Sequence, residues 1–296
     1  MASKVLVVGS GVIGLRTALE LLRKNVRVCL ISPKTPTNVS TTSMGAGGLW
    51  MPFHCDDTRV DGWALSTLDE LTTQHASSDR NVEVVPKVSF KRQLMEPPTW
   101  SKSSFLQFQQ LDVDSLYKYA SQNNMRLPRR EQLKCRVHAC VAVSSSNLFQ
   151  DNERNRDRGQ ALGCDGVVNC TGLGSRALCL DEALVGARGV LLHYDRYNPS
   201  LGDNCVGGTY LVGDEEECVR ESEREMLLRN AQTLGIDTAN NDPVGEWVGF
   251  RPYRSSVRLE IDNDLTQSGM RVVHNYGFGG SGWTVMLAQL KKQLLS

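Results

Sequence analysis

Four aliphatic residues in a row, Val5-Leu6-Val7-Val8, open the chain with the pattern of a strand covered on both faces. The period then changes: Leu15, Ala18, Leu19 and Leu22 recur every three to four residues and predict a helix over 12–24. A second apolar run over 26–31 predicts another strand, so the first part of the chain reads as a βαβ unit. Trp63, Leu65, Leu68 and Leu71 predict a helix over 61–76, and the alternation of Val82, Val84, Val88 and Phe90 predicts a strand over 81–90. Leu116, Tyr117 and Tyr119 mark a helix over 112–123, and 137–143 reads as a strand. The run 166–175 is again a buried strand ending in a glycine turn, which predicts a return to the first domain. Strands of another lobe are expected over 205–212, 244–250 and 254–261, with a charged surface helix over 216–233. A last strand over 270–275 runs into Tyr276-Gly277-Phe278-Gly279-Gly280-Ser281-Gly282-Trp283-Thr284, with a terminal helix over 285–295. Residues 33–43 and 93–104 read as loops. The basic cluster Arg126, Arg129, Arg130, Lys134 and Arg136 and the charged segment 150–158 read as solvated surface.

Composition changes this picture little. At 296 residues the chain can bury a large core and is expected to form two lobes. Lys plus Arg and Asp plus Glu are 33 each, so there is no general pull toward nucleic acid or an anionic membrane. No apolar run is long enough for a membrane span, and no signal peptide is expected before the first strand. The nine cysteines include no C-x-x-C pair and no metal spacing with His, which favours a reducing compartment. Cys29 and Cys170 read as small buried hydrophobes; Cys55, Cys205 and Cys218 are candidates for exposure.

The chemistry starts at Gly9, Gly11 and Gly14, which have the G-x-G-x-x-G spacing between a strand and a helix. Gly9 permits a sharp turn, Gly11 close approach of a pyrophosphate, and Gly14 close packing of helix on strand. The helix N-terminus, with Val12 and Ile13, suits a dinucleotide diphosphate. The acidic residue that ordinarily ends the second strand and binds a ribose is missing: the chain reads Ile31-Ser32-Pro33-Lys34. The segment 44–53 sets glycines beside Leu49, Trp50, Met51 and Phe53, a pattern of backbone pressed against something flat or of a glycine turn packed on a core tryptophan. The glycine-rich loop at 276–282, opening a helix, is a second candidate anion or cofactor site.

Several segments together resemble one family, the FAD-dependent D-amino-acid oxidases, which include the D-aspartate oxidases. They are VVGSGVIGL at 7–15, GGLWMPF at 47–53, VVNCTGLGSRAL at 167–178, GGTYLVGD at 207–214, GFRPYRSSVRLE at 249–260 and VVHNYGFGGSG at 272–282. The resemblance implies an α/β fold: a Rossmann-type FAD-binding domain from 1–80, 161–190 and 269–296, and a mostly antiparallel β-sheet substrate domain from 81–160 and 191–268. It implies non-covalent FAD, a D-amino acid and oxygen as small-molecule partners, and hydride transfer from the amino acid to the flavin, with a 2-oxo acid, ammonia and hydrogen peroxide as products. Arg251 matches the arginine that grips the substrate carboxylate, a task for a planar fork of donors that Lys cannot supply. Gly280 matches the glycine whose carbonyl accepts the substrate amino group, so the chemistry rests on orientation and requires no side-chain base. Thr41 and Thr42 match contacts to the FAD phosphates; Gly47, Gly48, Leu49 and Trp50 match backbone along the isoalloxazine. Thr171, Gly172, Gly279, Gly280, Ser281, Gly282, Trp283 and Thr284 match further cofactor positions. His274 is expected to be structural and His54 carries no assigned role.

Departures from the family matter for activity. The chain lacks a block before Phe105 and another between Gly189 and Val206, where the family carries a lid with tyrosines. Tyr194 and Tyr197 are candidate substrate-binding substitutes, or a pair packing a shortened edge. The arginine that D-aspartate oxidases carry in the GGT segment is Tyr210, which predicts neutral D-amino acids over D-aspartate. The alternatives are a D-aspartate oxidase, a lid-deficient flavin-binding homologue with little activity, a glycine oxidase or related amine oxidase, and a nicotinamide-dependent dehydrogenase, which Ser32 and the segment 47–53 oppose. No nucleic acid or membrane partner is expected, and a homodimer is compatible with the chain. The tail Lys292-Gln293-Leu294-Leu295-Ser296 carries no S-K-L address, so a peroxisomal location rests on the family and a cytoplasmic one stands beside it.

Overall fold

A computed structural model describes residues 3–36, 38, 40–46, 48–76, 82–91, 96–123, 127, 136–144, 163–194, 205–236, 238, 242–266 and 270–286. Gly47, Tyr197, most of the basic cluster, the charged segment 150–158 and the expected helix beyond 286 lie outside these residues. The chain forms two compact units: 1–83, 144–187 and 250–296 make the first, and 84–143 and 188–249 make the second.

The first unit is built on the βαβ motif. β1 (Lys4–Val8) pairs in parallel with β2 (Arg27–Ile31), and α1 (Val12–Arg23) connects them. β1 also pairs in parallel with β6 (Gly166–Asn169), β6 with β11 (Arg271–Phe278), and β11 runs antiparallel to β10 (Gly245–Ile261), giving the order β2-β1-β6-β11-β10. The core under α1 joins Val7, Ala18, Leu21, Val168, Cys170 and Val273. The helix is turned from the face its leucines suggest, since Leu19 and Leu22 are exposed and Gly14, Thr17, Ala18 and Leu21 are buried. The close seat of Gly14 sets this rotation: a Cβ there would stand 1.9 Å from the Gly9 carbonyl oxygen. The remaining helices of this unit are α2 (Thr42–Gly45), α3 (Val60–Ala76), α5 (Ser175–Leu178), α7 (Asn263–Thr266) and α8 (Gly282–Val285). α3 buries Ala64, Thr67, Leu68 and Leu71.

In the second unit β3 (Glu83–Lys91), β5 (Arg136–Ser144) and β4 (Gln109–Leu111) form a three-stranded sheet in the order β3-β5-β4, with β4 antiparallel to β5. α4 (Val113–Gln122) is capped by Asp112, whose carboxylate accepts the Ser115 amide at 2.8 Å, and buries Leu116. β7 (Val185–His193) pairs antiparallel with β8 (Cys205–Gly207) and also pairs with β9 (Leu211–Val212); the run 205–212 is thus two strands, broken at Gly208. α6 (Glu221–Thr233) starts later than its charge pattern indicates and packs Leu227 and Ala231 against Val190, Leu192, Tyr194 and Val206. At its start Glu223 pairs with a fully buried Arg188, whose guanidinium also donates to the Glu216 carbonyl at 2.5 Å and to the Cys218 carbonyl. A buried charge tolerates this position because every side of it is met.

Candidate active site

The first glycine turn is shaped by backbone proximity. Gly9 holds φ +111°, and a Cβ there would sit 2.4 Å from the Cys170 carbonyl oxygen at the end of β6. Gly11 is the N-cap of α1 and offers no side-chain cap, and no acidic residue stands in the first turn. The helix therefore presents an N-terminus free of competing carboxylate behind a glycine turn, which fits a dinucleotide diphosphate. Two features escape the motif. Ser43 Oγ accepts the Val12 amide at 3.0 Å, and Ser10 Oγ donates to the Lys34 carbonyl at 2.7 Å. Lys34 Nζ in turn donates to Ser40 Oγ at 2.9 Å, so a cation occupies the loop where a ribose-binding carboxylate is ordinarily found.

Around the turn, the expected residues are placed individually. Thr41 caps α2, accepting the Met44 amide at 3.3 Å, and Thr42 Oγ1 donates to the Phe250 carbonyl at 2.9 Å. Gly48 holds φ +63°, Leu49 is exposed, and Trp50 is buried with its indole donating to Ala64 O at 2.9 Å; the tryptophan of this segment is a core residue. Thr171 donates to Asn169 Oδ1 at 2.8 Å and Gly172 holds φ +55°. His274 is buried with Nε2 2.9 Å from Asp262 Oδ2, the structural role expected of it.

The second glycine loop closes on the segment 51–54. A Cβ on Gly279 would lie 2.2 Å from the His54 carbonyl oxygen, and one on Gly280 would lie 2.6 Å from both Phe53 Cδ1 and Phe53 O. Ser281 Oγ accepts the Phe53 amide at 2.9 Å and donates to the Phe53 carbonyl at 3.1 Å. Thr284 Oγ1 does the same for Met51, at 3.1 and 2.7 Å. Trp283 donates to Ser43 O at 3.1 Å, and Gly282 opens α8. Arg251 stands over the Phe53 ring, 5.8 Å from guanidinium carbon to centroid, and His54 meets that ring edge-on with centroids 3.9 Å apart. Arg251 and Gly280, far apart in sequence, thus meet on Phe53. Burial, and then the Arg251 charge, hold the His54 imidazole below its ordinary pKa.

An anchor that sequence reading missed holds this corner. Asp57 is buried; it accepts from the Arg59 amide, from Arg59 Nε at 2.8 Å and NH2 at 2.7 Å, and from the Val257 amide at 2.9 Å, while Arg59 NH2 donates to Val257 O. The hydrogen bonds from Arg59 keep the Asp57 carboxyl far below the usual carboxylate range. The pair ties the loop before α3 to the stretch of β10 where its register with β11 shifts, between Tyr253 and Arg258. An Asp just before a helix was the available signal. Cys55, beside it, is pushed up to about 11, chiefly by burial, and stays a thiol.

Tyr194 lies in the apolar core of the second unit, its buried hydroxyl without a hydrogen-bond partner among the described residues. Among the described residues there is no group of His, Cys, Asp and Glu that could hold a metal ion, and no helix long and apolar enough to cross a membrane.

A parallel βαβ sheet whose glycine turn meets a helix N-terminus defines a dinucleotide-binding α/β protein, and comparison with known proteins identifies the dinucleotide. Residues 4–89 match the family described as FAD dependent oxidoreductase (DAO). The chain is 30% identical to a D-amino-acid oxidase of Streptomyces coelicolor over 95% of its length and 92% of that protein, and 30% identical to a human D-aspartate oxidase over 96% and 91%. The chain belongs to the FAD-dependent D-amino-acid oxidase family, and its cofactor is FAD. In fold it is similar to a glycine oxidase of Geobacillus kaustophilus, with a TM-score of 0.69 at 15% identity, covering 97% of this chain and 93% of that one.

Proposed function

We propose that the protein oxidises neutral D-amino acids, in preference to D-aspartate, to 2-oxo acids and ammonia, with oxygen as acceptor and hydrogen peroxide as by-product. The observation that carries the reading is the meeting of Arg251 and Gly280 on Phe53, in the unit that also holds the Gly9–Gly14 turn. Arg251 binds the substrate carboxylate through two parallel N–H donors, and the Gly280 carbonyl accepts the α-amino group. Two anchor points on one rigid corner orient the Cα–H bond, and orientation is the main protein contribution to such a reaction. FAD, when bound, supplies the hydride acceptor. Gly9, Gly11, Val12, Ile13 and Gly14 hold its diphosphate; Thr41, Thr42, Gly47, Gly48, Leu49, Trp50, Thr171, Gly172, Gly279, Gly280, Ser281, Gly282, Trp283 and Thr284 line it, chiefly through backbone where their side chains are engaged elsewhere. Tyr210 in the GGT segment supports the preference against an acidic side chain.

The test is the visible spectrum of the purified protein on anaerobic addition of D-alanine. Bleaching of the flavin bands is expected, and Arg251→Lys should raise KM about a hundredfold or more through loss of the two-point grip. Bleaching by D-aspartate ahead of D-alanine would overturn the preference. The burial of Tyr194 in an apolar core favours a second reading, a flavin protein with weak oxidase activity, for which the spectrum would persist with every D-amino acid tried.

A further inference from the structure

A thiol, an imidazole and a carboxylate come together in the first unit, away from Arg251 and Gly280. Cys179 directly follows α5 and is half-buried between Leu178 and Leu180, both exposed. Its Sγ lies 3.8 Å from His274 Nδ1 on β11 and 3.2 Å from Asn169 Nδ2 at the end of β6. On the other side of the ring, His274 Nε2 stands 2.9 Å from Asp262 Oδ2, and Arg258 NH2 stands 3.5 Å from the same oxygen. All five residues belong to the same unit. The order of thiol, imidazole and carboxylate is that of a nucleophile, its base and the group that orients the base.

The hydrogen bonds decide what each group can do. A carboxylate at Nε2 keeps the imidazole proton on that nitrogen and leaves a lone pair on Nδ1, which faces the thiol. The Asn169 Nδ2 group is a donor only and points at the sulfur, which favours negative charge there. Burial pushes the Cys179 thiol above its ordinary pKa, against the opposing charge of Arg258, so the resting group is S–H. A base within hydrogen-bond reach can take that proton as the sulfur attacks, and Asp262 then balances the imidazolium. The other end of the Asn169 amide leads to the glycine turn after β6: Oδ1 accepts the Thr171 hydroxyl at 2.8 Å and the Thr171 amide at 3.1 Å.

We propose that Cys179 is a peroxide-reactive thiol, activated by His274, and that its oxidation loosens the seat of Thr171. The thiol proton passes to His274 Nδ1 while the sulfur attacks one oxygen of hydrogen peroxide. The O–O bond breaks, and the departing hydroxide takes the proton back from the imidazolium and leaves as water. Sulfur is oxidised to the sulfenic acid and the peroxide is reduced to water. The added oxygen competes for the Asn169 amide that holds Thr171. Its effect on the cofactor rests on the reading of Thr171 as an FAD contact; the oxidation itself does not.

The test exposes the holoenzyme to added hydrogen peroxide with dimedone as a sulfenic-acid trap, and assigns the labelled peptides by mass spectrometry. Because the peroxide is added, the result is independent of whether the chain oxidises D-amino acids. The internal comparator is Cys218, an exposed cysteine whose thiol has no hydrogen-bond partner among the described residues. Cys179 should be trapped about tenfold or more faster than Cys218, a modest share of what a positioned base supplies. In Asp262→Asn the neutral amide no longer balances the imidazolium, and the rate at Cys179 should fall about tenfold or more. An unchanged rate at Cys218 in that variant separates this from unfolding. Trapping of Cys179 no faster than Cys218, or a rate unaffected by Asp262→Asn, overturns the site. After peroxide treatment the wild-type protein should bind FAD about fivefold more weakly, the worth of one lost hydrogen bond, while Cys179→Ser keeps its affinity. Unchanged wild-type affinity, or an equal loss in Cys179→Ser, overturns the link to Thr171.

Discussion

The two glycine-rich turns of the first unit look alike as sequence and behave differently as structure. The turn at Gly9–Gly14 is tight against backbone at the ends of its own strand and the neighbouring one: Gly14 abuts the Gly9 carbonyl and Gly9 abuts that of Cys170, just past β6. It opens a twelve-residue helix with no acidic group in its first turn. The loop at Gly277–Gly282 is tight against a distant segment, through Gly279 on His54 and Gly280 on Phe53, and the described helix that follows has four residues. The first is a turn that we propose cradles the FAD diphosphate. The second is a seam that fixes Phe53 and Gly280 against each other. Glycine at both marks close backbone approach, and only the partner shows whether the space is kept for a ligand or filled by protein.

Substitution can break this distinction. Gly14→Ala is expected to have the largest effect: its methyl would meet backbone oxygen at 1.9 Å, with no flexible side chain to move aside. FAD affinity in a fluorescence-quenching titration should fall a hundredfold or more, with a stability loss of about 1–3 kcal/mol or above. Wild-type affinity in this variant would mean that the Gly9–Gly14 turn does not hold the diphosphate. Ser281→Ala should act on the seam, removing both bonds to Phe53 at a cost of about 1–2 kcal/mol, with KM raised and FAD affinity changed much less. If it lowers FAD affinity as much as Gly14→Ala does, the two loops are one site.

Much of this was legible because it is local. The βαβ unit, the helix over 60–76 and the helix after Asp112 follow from the hydrophobic period of adjacent residues. β10 was not: Pro252 reads as a break between two strands, whereas the strand continues through it, with the register shift beside it. The burial of Arg188 has no local signal, because its partners, Glu216, Cys218 and Glu223, lie a loop away in sequence. The Asp57–Val257 tie and the Phe53–Ser281 seam were hidden for the same reason: each joins segments about two hundred residues apart.

The smallest effect near neutrality is that of pH, and it sharpens the contrast. The first turn contains no titratable side chain, whereas the seam is flanked by His54 and Asp57, both with folded pKa values below their unfolded ones. The unfolded state then binds more protons, so these groups stabilise the fold fully above unfolded pKa values of about 6.5 and 3.9 and lose that contribution as pH falls. Hydrogen exchange should show the amides of Phe53 and Val257 losing protection on acidification before that of Gly9, which is bonded to Ile31 O at 2.8 Å. Equal loss at all three would mean that the anchor and the turn open together.

Ser281 and Thr284 each serve both the N–H and the C=O of one residue, Phe53 and Met51, as a neighbouring residue does across a hydrogen-bonded antiparallel pair. Two hydroxyls at the start of a helix thereby imitate a β-strand. The segment 51–53 gains the pairing of a sheet edge without a strand that could slide against it, and without leaving those groups open to another chain. Its alignment is set by side chains, so a one-residue insertion or deletion there cannot be absorbed by slippage: both hydroxyl clasps must release together, and the face of Phe53 under Arg251 would be lost with them.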